Sequence, residues 1–283
     1  MHAGDLARGV AAATLAARSL GLRVDDAVVL SNSNRLVLRL LPSDVVARVA
    51  SVAHFASAAL EIKVATQLAG CPIAGIDPRV ASQVFVGDDF EITFWEHFEP
   101  VQARTVPAAE YVGALVSLHA GLRRADLAAP HVRDRIVSTL GFVASRDETP
   151  DLADKDRKLL TSTMRDFGES IVAPATPAQL LHGEPHPWNL LDTNRGLQFI
   201  DFENTCLGPL EYDLAWVPED VATRYPDVDH ALLDDCRAVV LAIIAAHRWS
   251  QDDRHPSGRP SGHAFLDALR HGPPWPTLDQ IAW

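Results

Sequence analysis

One segment, residues 182–203 (HGEPHPWNLLDTNRGLQFIDFE), carries side chains whose types and spacing suit chemistry on phosphates. Glu184 stands five residues before Asn189, and Asp201 ends the apolar run that follows. The spacing is that of a catalytic loop H-x-D-x-x-x-x-N followed by a metal-binding D-F-x. A carboxylate can orient an attacking hydroxyl and take its proton, and the oxygens of Asn and Asp suit Mg²⁺. The segment therefore predicts phosphoryl transfer, with Glu184 as base and Asn189 and Asp201 as metal ligands.

The same loop contains two histidines, His182 and His186, at the spacing that binds zinc when it lies on a helix. Gly183, Pro185 and Pro187 oppose a helix here, because proline lacks the backbone donor and restricts the residue before it. We therefore expect both histidines to hold the loop through hydrogen bonds and not to bind zinc.

Composition narrows the class of protein. The chain has 283 residues, 47% of them hydrophobic and 22% charged, which is ordinary for a globular protein with a sizeable core. A net charge of −12 argues against a general nucleic-acid binder and mildly favours a cationic small molecule. The sequence has no uncharged apolar window long enough to predict a membrane span. The N-terminal residues have the pattern of an amphipathic helix and not of a signal peptide. Three scattered cysteines favour free thiols and a cytoplasmic location.

The elements that must position these residues change character along the chain. In the first hundred residues, helical periodicity alternates with β-branched runs separated by turn sequences. The predicted helices are 4–20 and 53–69, and the predicted strands are 26–30, 35–41, 44–50, 79–86 and 90–96. An antiparallel sheet is expected, since short turn sequences join most of these strands.

The rest of the chain is mostly helical. We predict helices at 108–122, 131–145, 153–170, 209–217, 227–249 and 263–271, with one β-hairpin between Asn189 and Asp201. Residues 97–107 are irregular and suit a connector. The sequence thus predicts an α/β (α+β) protein with a small β-rich lobe at 1–96, a connector at 97–107 and a larger helical lobe at 108–283.

At this point the chain resembles the aminoglycoside phosphotransferase family, which is part of the protein-kinase-like group that includes choline kinases. The family motif H-G-D-x-H-P-x-N corresponds to residues 182–189, I-D-[FW] to 200–202, and G-x-x-x-Y-D-L-A to 208–215. The resemblance implies the two-lobed protein-kinase-like fold, ATP or GTP with Mg²⁺ as cofactors, and a small-molecule hydroxyl acceptor. Asp213, in the third motif, is expected to brace the catalytic loop without touching the substrate.

The resemblance also implies a nucleotide site in the N-terminal half. Family members hold the phosphates with a strand Lys paired to a helix Glu, and here Arg48 and Glu61 stand in those places. The loop with Ser33 and Asn34 stands where a turn is expected to cover the phosphates, although it lacks glycines. Trp95 and His97 flank the start of the connector, whose backbone is expected to meet the adenine ring.

The departures from the family pattern leave a second class of function open. Glu184 is one methylene longer than the usual Asp, which moves its carboxylate by about 1.5 Å, and Arg48 replaces Lys. A non-catalytic, kinase-like nucleotide-binding or interaction protein is therefore the alternative to an enzyme. A metal-dependent hydrolase fits less well, because such sites usually need more His and Asp ligands. The oligomeric state and the identity of the acceptor stay open.

Overall fold

A computed structural model describes residues 3–32, 35–52, 55–99, 101, 104–253 and 257–281. Its contacts divide the chain into two compact units. The first unit comprises residues 1–105, 124–127 and 190–204, and the second comprises 106–123, 128–189 and 205–283. The hairpin that follows the motif segment 182–189 therefore groups with the N-terminal residues. The functional lobes predicted at 1–96, 97–107 and 108–283 stay a prediction.

The first unit is built on an antiparallel sheet. Its elements are α1 (Ala3–Ser19), β1 (Val24–Asn32), β2 (Leu36–Pro42), β3 (Val45–Ser51), α2 (Phe55–Gln67), β4 (Phe85–Gly87), β5 (Phe90–Glu96), β7 (Leu190–Thr193) and β8 (Gly196–Phe199). The large sheet has the order β1-β2-β3-β5-β4, and β7 pairs with β8 as a separate hairpin. This agrees with the strands predicted from alternation and turn sequences, with one exception.

Alternation along the strands decides which side chains enter the core. Leu36, Leu38 and Leu40 of β2 are completely buried and belong to a cluster that includes α1 residues such as Ala13. Ala47 and Val49 of β3 lie in the same cluster. Because successive strand residues point to opposite faces, Arg48 lies on the face away from this cluster.

The strand predicted at 79–86 is wrong for most of its length, since only Phe85–Gly87 is a strand. The side chain of Asp77 accepts from the backbone N–H of Arg79 and from its guanidinium. The N–H of Val80 donates to the carbonyl of Asp77, and that of Gln83 donates to the carbonyl of Ala81. These local turns satisfy backbone groups that a strand would have offered to a neighbour.

The second unit is mostly helical. It contains α3 (Ala108–Leu122), α4 (Val132–Ala144), α5 (Asp154–Asp166), α6 (Gly168–Ile171), β6 (Gln179–Leu181), β9 (Cys206–Gly208), α7 (Leu210–Leu214), α8 (Glu219–Ala222), α9 (His230–His247) and α10 (Gly258–His271). The helix predicted at 153–170 is two helices, and their break falls next to Gly168, a poor helix former. The pair β6–β9 was not predicted, because strands of three residues show no periodicity.

Helix α9 is the centre of the second unit. An unbroken run from Ala238 to Ala246 is buried, and the helix contacts α4, α5, α6, α7 and α10. A helix that is apolar all round is expected at the centre of a helical packing. Among the described residues, no helix is long and apolar enough to cross a membrane.

The cysteines are free, as predicted: Cys206 and Cys236 are buried and Cys71 is half-buried. Burial raises the pKa of Cys206 to about 12. The thiol of Cys206 therefore stays protonated at neutral pH and behaves as a small apolar group.

Leu38 and Leu15 provide a matched test of this packing, because Leu38 is completely buried in the β-rich unit whereas Leu15 on α1 is 72% exposed. We expect Leu38→Ala to lower the free energy of unfolding by about 2–5 kcal/mol, since truncation of a buried leucine leaves a cavity. Leu15→Ala should change it by less than about 0.5 kcal/mol. Urea unfolding followed by circular dichroism measures both, and equal effects would contradict the packing described.

Candidate active site

The loop at residues 182–189 of the second unit is held by a buried carboxylate, Asp213. Its Oδ2 accepts the backbone N–H of His182 at 2.9 Å, and its Oδ1 accepts that of Gly183 at 2.8 Å. His119 Nε2 lies 2.9 Å from Oδ2. Asp213 and His119 are both completely buried. This arrangement agrees with the bracing role expected for Asp213, which contacts the loop backbone through both of its oxygens.

The same contacts place His119 between two partners. A carboxylate only accepts hydrogen bonds, so Nε2 of His119 donates to Asp213. The other ring nitrogen, Nδ1, lies 2.8 Å from the hydroxyl oxygen of Tyr225. Gly183 has φ of 94°, a left-handed conformation that glycine adopts readily. The chain can therefore turn at Gly183 while two successive N–H groups still reach Asp213.

Within the loop, a hydrogen bond joins the side chain of Asn189 to the backbone of Glu184. Asn189 donates through Nδ2 to the carbonyl of Glu184 at 3.0 Å, and His186 donates its backbone N–H to the same carbonyl at 2.9 Å. Asn189 ends a short 3-10 turn that begins at Pro187. Tyr111 adds a hydrogen bond from its hydroxyl to the carbonyl of Pro185. Because Asn189 uses its side-chain Nδ2 for the hydrogen bond to Glu184, its Oδ1 is the atom that can serve as a metal ligand.

The proposed base, Glu184, is held by an arginine that the sequence did not reveal. Arg135 of α4 donates from Nη2 to Glu184 Oε1. The guanidinium lies over the ring of Trp216, with its carbon 5.4 Å from the ring centroid. The negative charge of Glu184 helps to raise the pKa of Arg135 above its ordinary value, although burial opposes this. One oxygen of Glu184 is therefore engaged by a permanent cation.

His186 and Trp188 belong to the same loop as Glu184. The His186 ring packs against Trp188 and Trp216, with centroids 5.6 and 6.0 Å apart. Trp188 is 58% exposed, so its ring is accessible on the loop that carries Glu184. His182 Nδ1 accepts the backbone N–H of Glu184 at 3.3 Å, and His186 Nε2 lies 3.4 Å from Asn189 Nδ2. Both histidines therefore make hydrogen-bond contacts within the loop.

In the first unit, a second buried carboxylate organises the residues predicted to bind nucleotide. Glu61 of α2 is completely buried, and its Oε1 lies 2.6 Å from Arg48 Nη1. The same guanidinium contacts Asp201 Oδ1 through Nη2 at 2.8 Å. The carboxylates of Glu61 and Asp201 raise the pKa of Arg48 against the effect of burial. Arg48 and Glu61 thus form the ion pair that the resemblance implied.

Asp201 occupies an uncommon backbone conformation. Its φ is 68°, in the left-handed region that Asp tolerates better than most side chains. It stands between β8 and a 3-10 turn at Phe202–Asn204, and its side chain is 33% exposed. Left-handed residues held in place by their surroundings cluster at functional sites. The conformation is consistent with a functional carboxylate at this position.

Two further residues of this cluster, Arg35 and Glu203, were not predicted. Arg35 Nη2 lies 2.5 Å from Glu203 Oε2, and its Nη1 lies 2.5 Å from Glu61 Oε2. Burial and the neighbouring charge of Asp201 raise the pKa of Glu203 to about 7. The first unit therefore places two arginines among three carboxylates.

Of the four other residues predicted to bind nucleotide, the structure describes Trp95 and His97. Trp95 is buried at the end of β5, where its Nε1 donates to Thr93 Oγ1 at 2.8 Å. Its ring is a packing element beside Arg48, and contact with adenine through the backbone of this segment stays a prediction. His97 Nδ1 lies 3.2 Å from Asp44 Oδ1. Ser33 and Asn34 lie outside the described residues.

Sequence signals for the missed residues were weak or absent. Glu203 stands two positions after Asp201, and Arg35 directly follows the loop that contains Ser33 and Asn34, so proximity could have drawn attention to both. Arg135 and Tyr111 are far from Glu184 in sequence, on helices without a motif. Only the packing of α3 and α4 identifies them.

The donors present match the chemistry of Mg²⁺. Asn189 and Asp201 offer hard oxygen atoms, and Mg²⁺ in nucleotide sites usually takes one or two carboxylates together with phosphates and water. Among the residues that the structure describes, no group of three or more His, Cys, Asp or Glu side chains could hold a metal ion. Each of these two residues thus carries an oxygen of the kind that Mg²⁺ binds, and their joint role stays a prediction.

Comparison with known proteins gives the fold. A family model described as the phosphotransferase enzyme family matches residues 27–239. The chain is similar to amicoumacin kinase hAmiN, solved with AMP-PNP, Ca²⁺ and Ami (TM-score 0.68, 10% identity, 98% of each chain covered). It is also similar to a thermostable mutant of the aminoglycoside phosphotransferase APH(4)-Ia, solved with ADP and hygromycin B (TM-score 0.64, 15% identity, 92% of this chain and 98% of that chain).

A third similar structure is APH(2″)-IIIa with GDP and kanamycin (TM-score 0.60, 16% identity, 89% of this chain and 95% of that chain). No curated protein sequence matches the chain. At these identities the likeness establishes the fold alone. The chain has the protein-kinase-like fold, with an antiparallel-sheet unit and a helical unit, so the predicted fold class is confirmed.

Asp213→Asn tests the bracing of the loop. The substitution keeps the shape but replaces one accepting oxygen with a donor that faces other donors. We expect a loss of about 3 kcal/mol in the free energy of unfolding, because a buried charged hydrogen-bond network is broken. Hydrogen exchange at the amides of His182 and Gly183 should become faster.

Asp220→Asn is the matched control, since Asp220 is exposed on α8. It should leave both the unfolding free energy and the exchange rates unchanged. Unaltered exchange at Gly183 in Asp213→Asn would show that the carboxylate does not hold the loop.

Proposed function

Because the chain belongs to the phosphotransferase enzyme family, we propose that it transfers the γ-phosphate of ATP or GTP to a hydroxyl of a small molecule. The braced loop of the second unit carries this proposal. Asp213 fixes the two residues before Glu184, and Asn189 is bonded to the carbonyl of Glu184. Phosphoryl transfer requires mainly positioning and charge stabilisation, and a loop fixed in this way supplies the positioning.

Glu184 is the proposed general base. One of its oxygens is engaged by Arg135, and the other is the atom proposed to accept the proton of the acceptor hydroxyl. As that proton moves to Glu184, the hydroxyl oxygen forms its bond to the γ-phosphorus and the bond from the γ-phosphorus to the β-bridging oxygen breaks. Arg135 would hold the longer glutamate side chain in one direction, which reduces the disorder that an extra methylene introduces.

Asn189 and Asp201 are the proposed metal ligands, and Arg48 is the proposed phosphate contact with Glu61 as its partner. Mg²⁺, when bound with the nucleotide, neutralises charge on the phosphate oxygens. Arg48 keeps its charge at any working pH, and its forked donors suit phosphate oxygens. The nucleotides bound in the similar structures support ATP or GTP as the donor.

The acceptor is proposed to be a small hydroxylated molecule. The similar proteins were solved with Ami, hygromycin B or kanamycin, and fold alone does not select among acceptors. Trp188 offers an exposed ring beside Glu184, which suits the apolar face of a sugar or a similar ring.

Calorimetric titration of ATP and GTP with Mg²⁺ tests the nucleotide site. We expect Asp201→Asn to weaken metal-dependent binding at least about tenfold, or 1.4 kcal/mol. Asp88→Asn is the matched control, because Asp88 lies in the same unit, also has a positive φ of 51° and also pairs with an arginine, Arg8, at 3.1 Å. No binding of either nucleotide by the unmodified chain would overturn the proposed function.

Glu184→Gln tests the chemical step. The amide cannot accept the proton, so we expect nucleotide affinity to stay unchanged and turnover in an acceptor screen to fall by about 10²–10⁴-fold. Glu219→Gln serves as control, since Glu219 also pairs with an arginine, Arg237. Full turnover by Glu184→Gln would remove Glu184 from the mechanism.

The non-catalytic alternative gives a different result in the same assays. Arg135 already engages Glu184, which would also suit a loop kept for its structure. In that case, nucleotide binds to the unmodified chain and responds to Asp201→Asn, but no acceptor and no water receives the γ-phosphate.

A further inference from the structure

Arg35, the residue directly before β2, connects three elements of the first unit. Its Nη1 lies 2.5 Å from Glu61 Oε2 on α2. Its Nη2 donates to Ser57 Oγ on the same helix at 3.1 Å, and it lies 2.5 Å from Glu203 Oε2 in the 3-10 turn. The side chain is only 10% exposed. A guanidinium with three partners and little solvent contact is held in one place.

Arg35 and Arg48 divide the carboxylate of Glu61 between them. Arg48 Nη1 contacts Oε1 at 2.6 Å, while Arg35 occupies Oε2. An arginine and a carboxylate would otherwise form a pair with two parallel hydrogen bonds. Because Arg35 takes one oxygen, Arg48 is left with a single hydrogen bond to Glu61, and its second nitrogen reaches Asp201 at 2.8 Å.

Because Arg35 and Arg48 share the Glu61 carboxylate, Arg35 affects the direction in which the Arg48 guanidinium points. If Arg35 were absent, Glu61 would be buried with a free oxygen, and an uncompensated buried carboxylate is strongly unfavourable. Rotation of Arg48 into a two-bond pair with Glu61 would satisfy that oxygen. The same rotation would withdraw Arg48 from Asp201.

We propose that Arg35 is a positioning residue of the nucleotide site: it satisfies Glu61 and Glu203 and thereby keeps the guanidinium of Arg48 directed toward Asp201 and the phosphates. This inference rests on the proposed function, in which Arg48 contacts the nucleotide phosphates. Arg35 acts through Arg48 and touches no reacting atom. The usual strand Lys has a single ammonium and would not need such a partner, whereas the two nitrogens of Arg48 do.

A double-mutant cycle tests this dependence. Calorimetry measures the dissociation constant of Mg–ATP for the unmodified chain, Arg35→Met, Arg48→Met and the double variant. We expect Arg35→Met to weaken binding about tenfold. The double variant should bind no more weakly than Arg48→Met alone, because residues that act through one another are not additive. Additive losses would overturn the proposal, since Arg35 would then act without Arg48.

Two further variants separate positioning from general damage. Arg23→Met is the matched control: Arg23 directly precedes strand β1, as Arg35 precedes β2, and it pairs with Asp25 on the surface at 2.6 Å, so its loss should leave ATP affinity unchanged. Arg35→Lys keeps the charge but cannot span both carboxylates. It should bind with an intermediate affinity and show the same coupling to Arg48→Met, and it replaces Arg35→Met in the cycle if the methionine variant does not fold.

Failure of this inference and failure of the proposed function have different signatures. If Mg–ATP does not bind to the unmodified chain, or if Arg48→Met binds it normally, the proposed nucleotide site is wrong. If Arg48→Met weakens binding while Arg35→Met and Arg35→Lys bind normally, the nucleotide site stands and only the role of Arg35 is overturned.

Discussion

Two carboxylates, Glu61 and Asp213, are completely buried, and a buried negative charge is stable only when cations or hydrogen-bond donors surround it. The two units meet this requirement differently. Glu61 has a guanidinium on each oxygen. Asp213 has two backbone N–H groups and an imidazole. Among these groups, Arg48 and the backbone N–H groups of His182 and Gly183 belong to the segments proposed to act on nucleotide or acceptor.

The hydrogen bonds and ion pairs that stabilise these buried carboxylates also hold in place the side chains on which the proposed phosphoryl transfer depends. A side chain held by several charged hydrogen bonds loses little further entropy when a ligand arrives. The Asp213 brace fixes the backbone that leads to Glu184, and Arg135 holds the end of the Glu184 side chain. Glu61 does the same for Arg48. Thus the unusual residue types, Glu for Asp and Arg for Lys, each have a partner suited to their length and charge.

The arginine in place of lysine changes more than one contact. A lysine offers a single ammonium, whereas Arg48 contacts Glu61 and Asp201 through different nitrogens. Arg35 and Glu203 complete this cluster. The positive φ of Asp201 belongs to the same region, and its surroundings include the guanidinium of Arg48. The charged side chains of this cluster are therefore linked by shared ion pairs, and a substitution of one of them is expected to move the others.

The sequence by itself determined that Glu184, Asn189 and Asp201 stand at motif spacing. It also determined that the first hundred residues form an antiparallel sheet and that most of the later residues form helices. Motif spacing and periodicity are local properties, which a single sequence displays directly. Tertiary structure alone decided that Arg135 holds Glu184, that Arg35 shares Glu61 with Arg48, and that residues 79–84 form turns. These contacts join positions far apart in the chain, or depend on which backbone groups find a partner nearby. An arginine on a strand or helix has the same local pattern whether it faces solvent or a buried carboxylate, and only packing distinguishes the two.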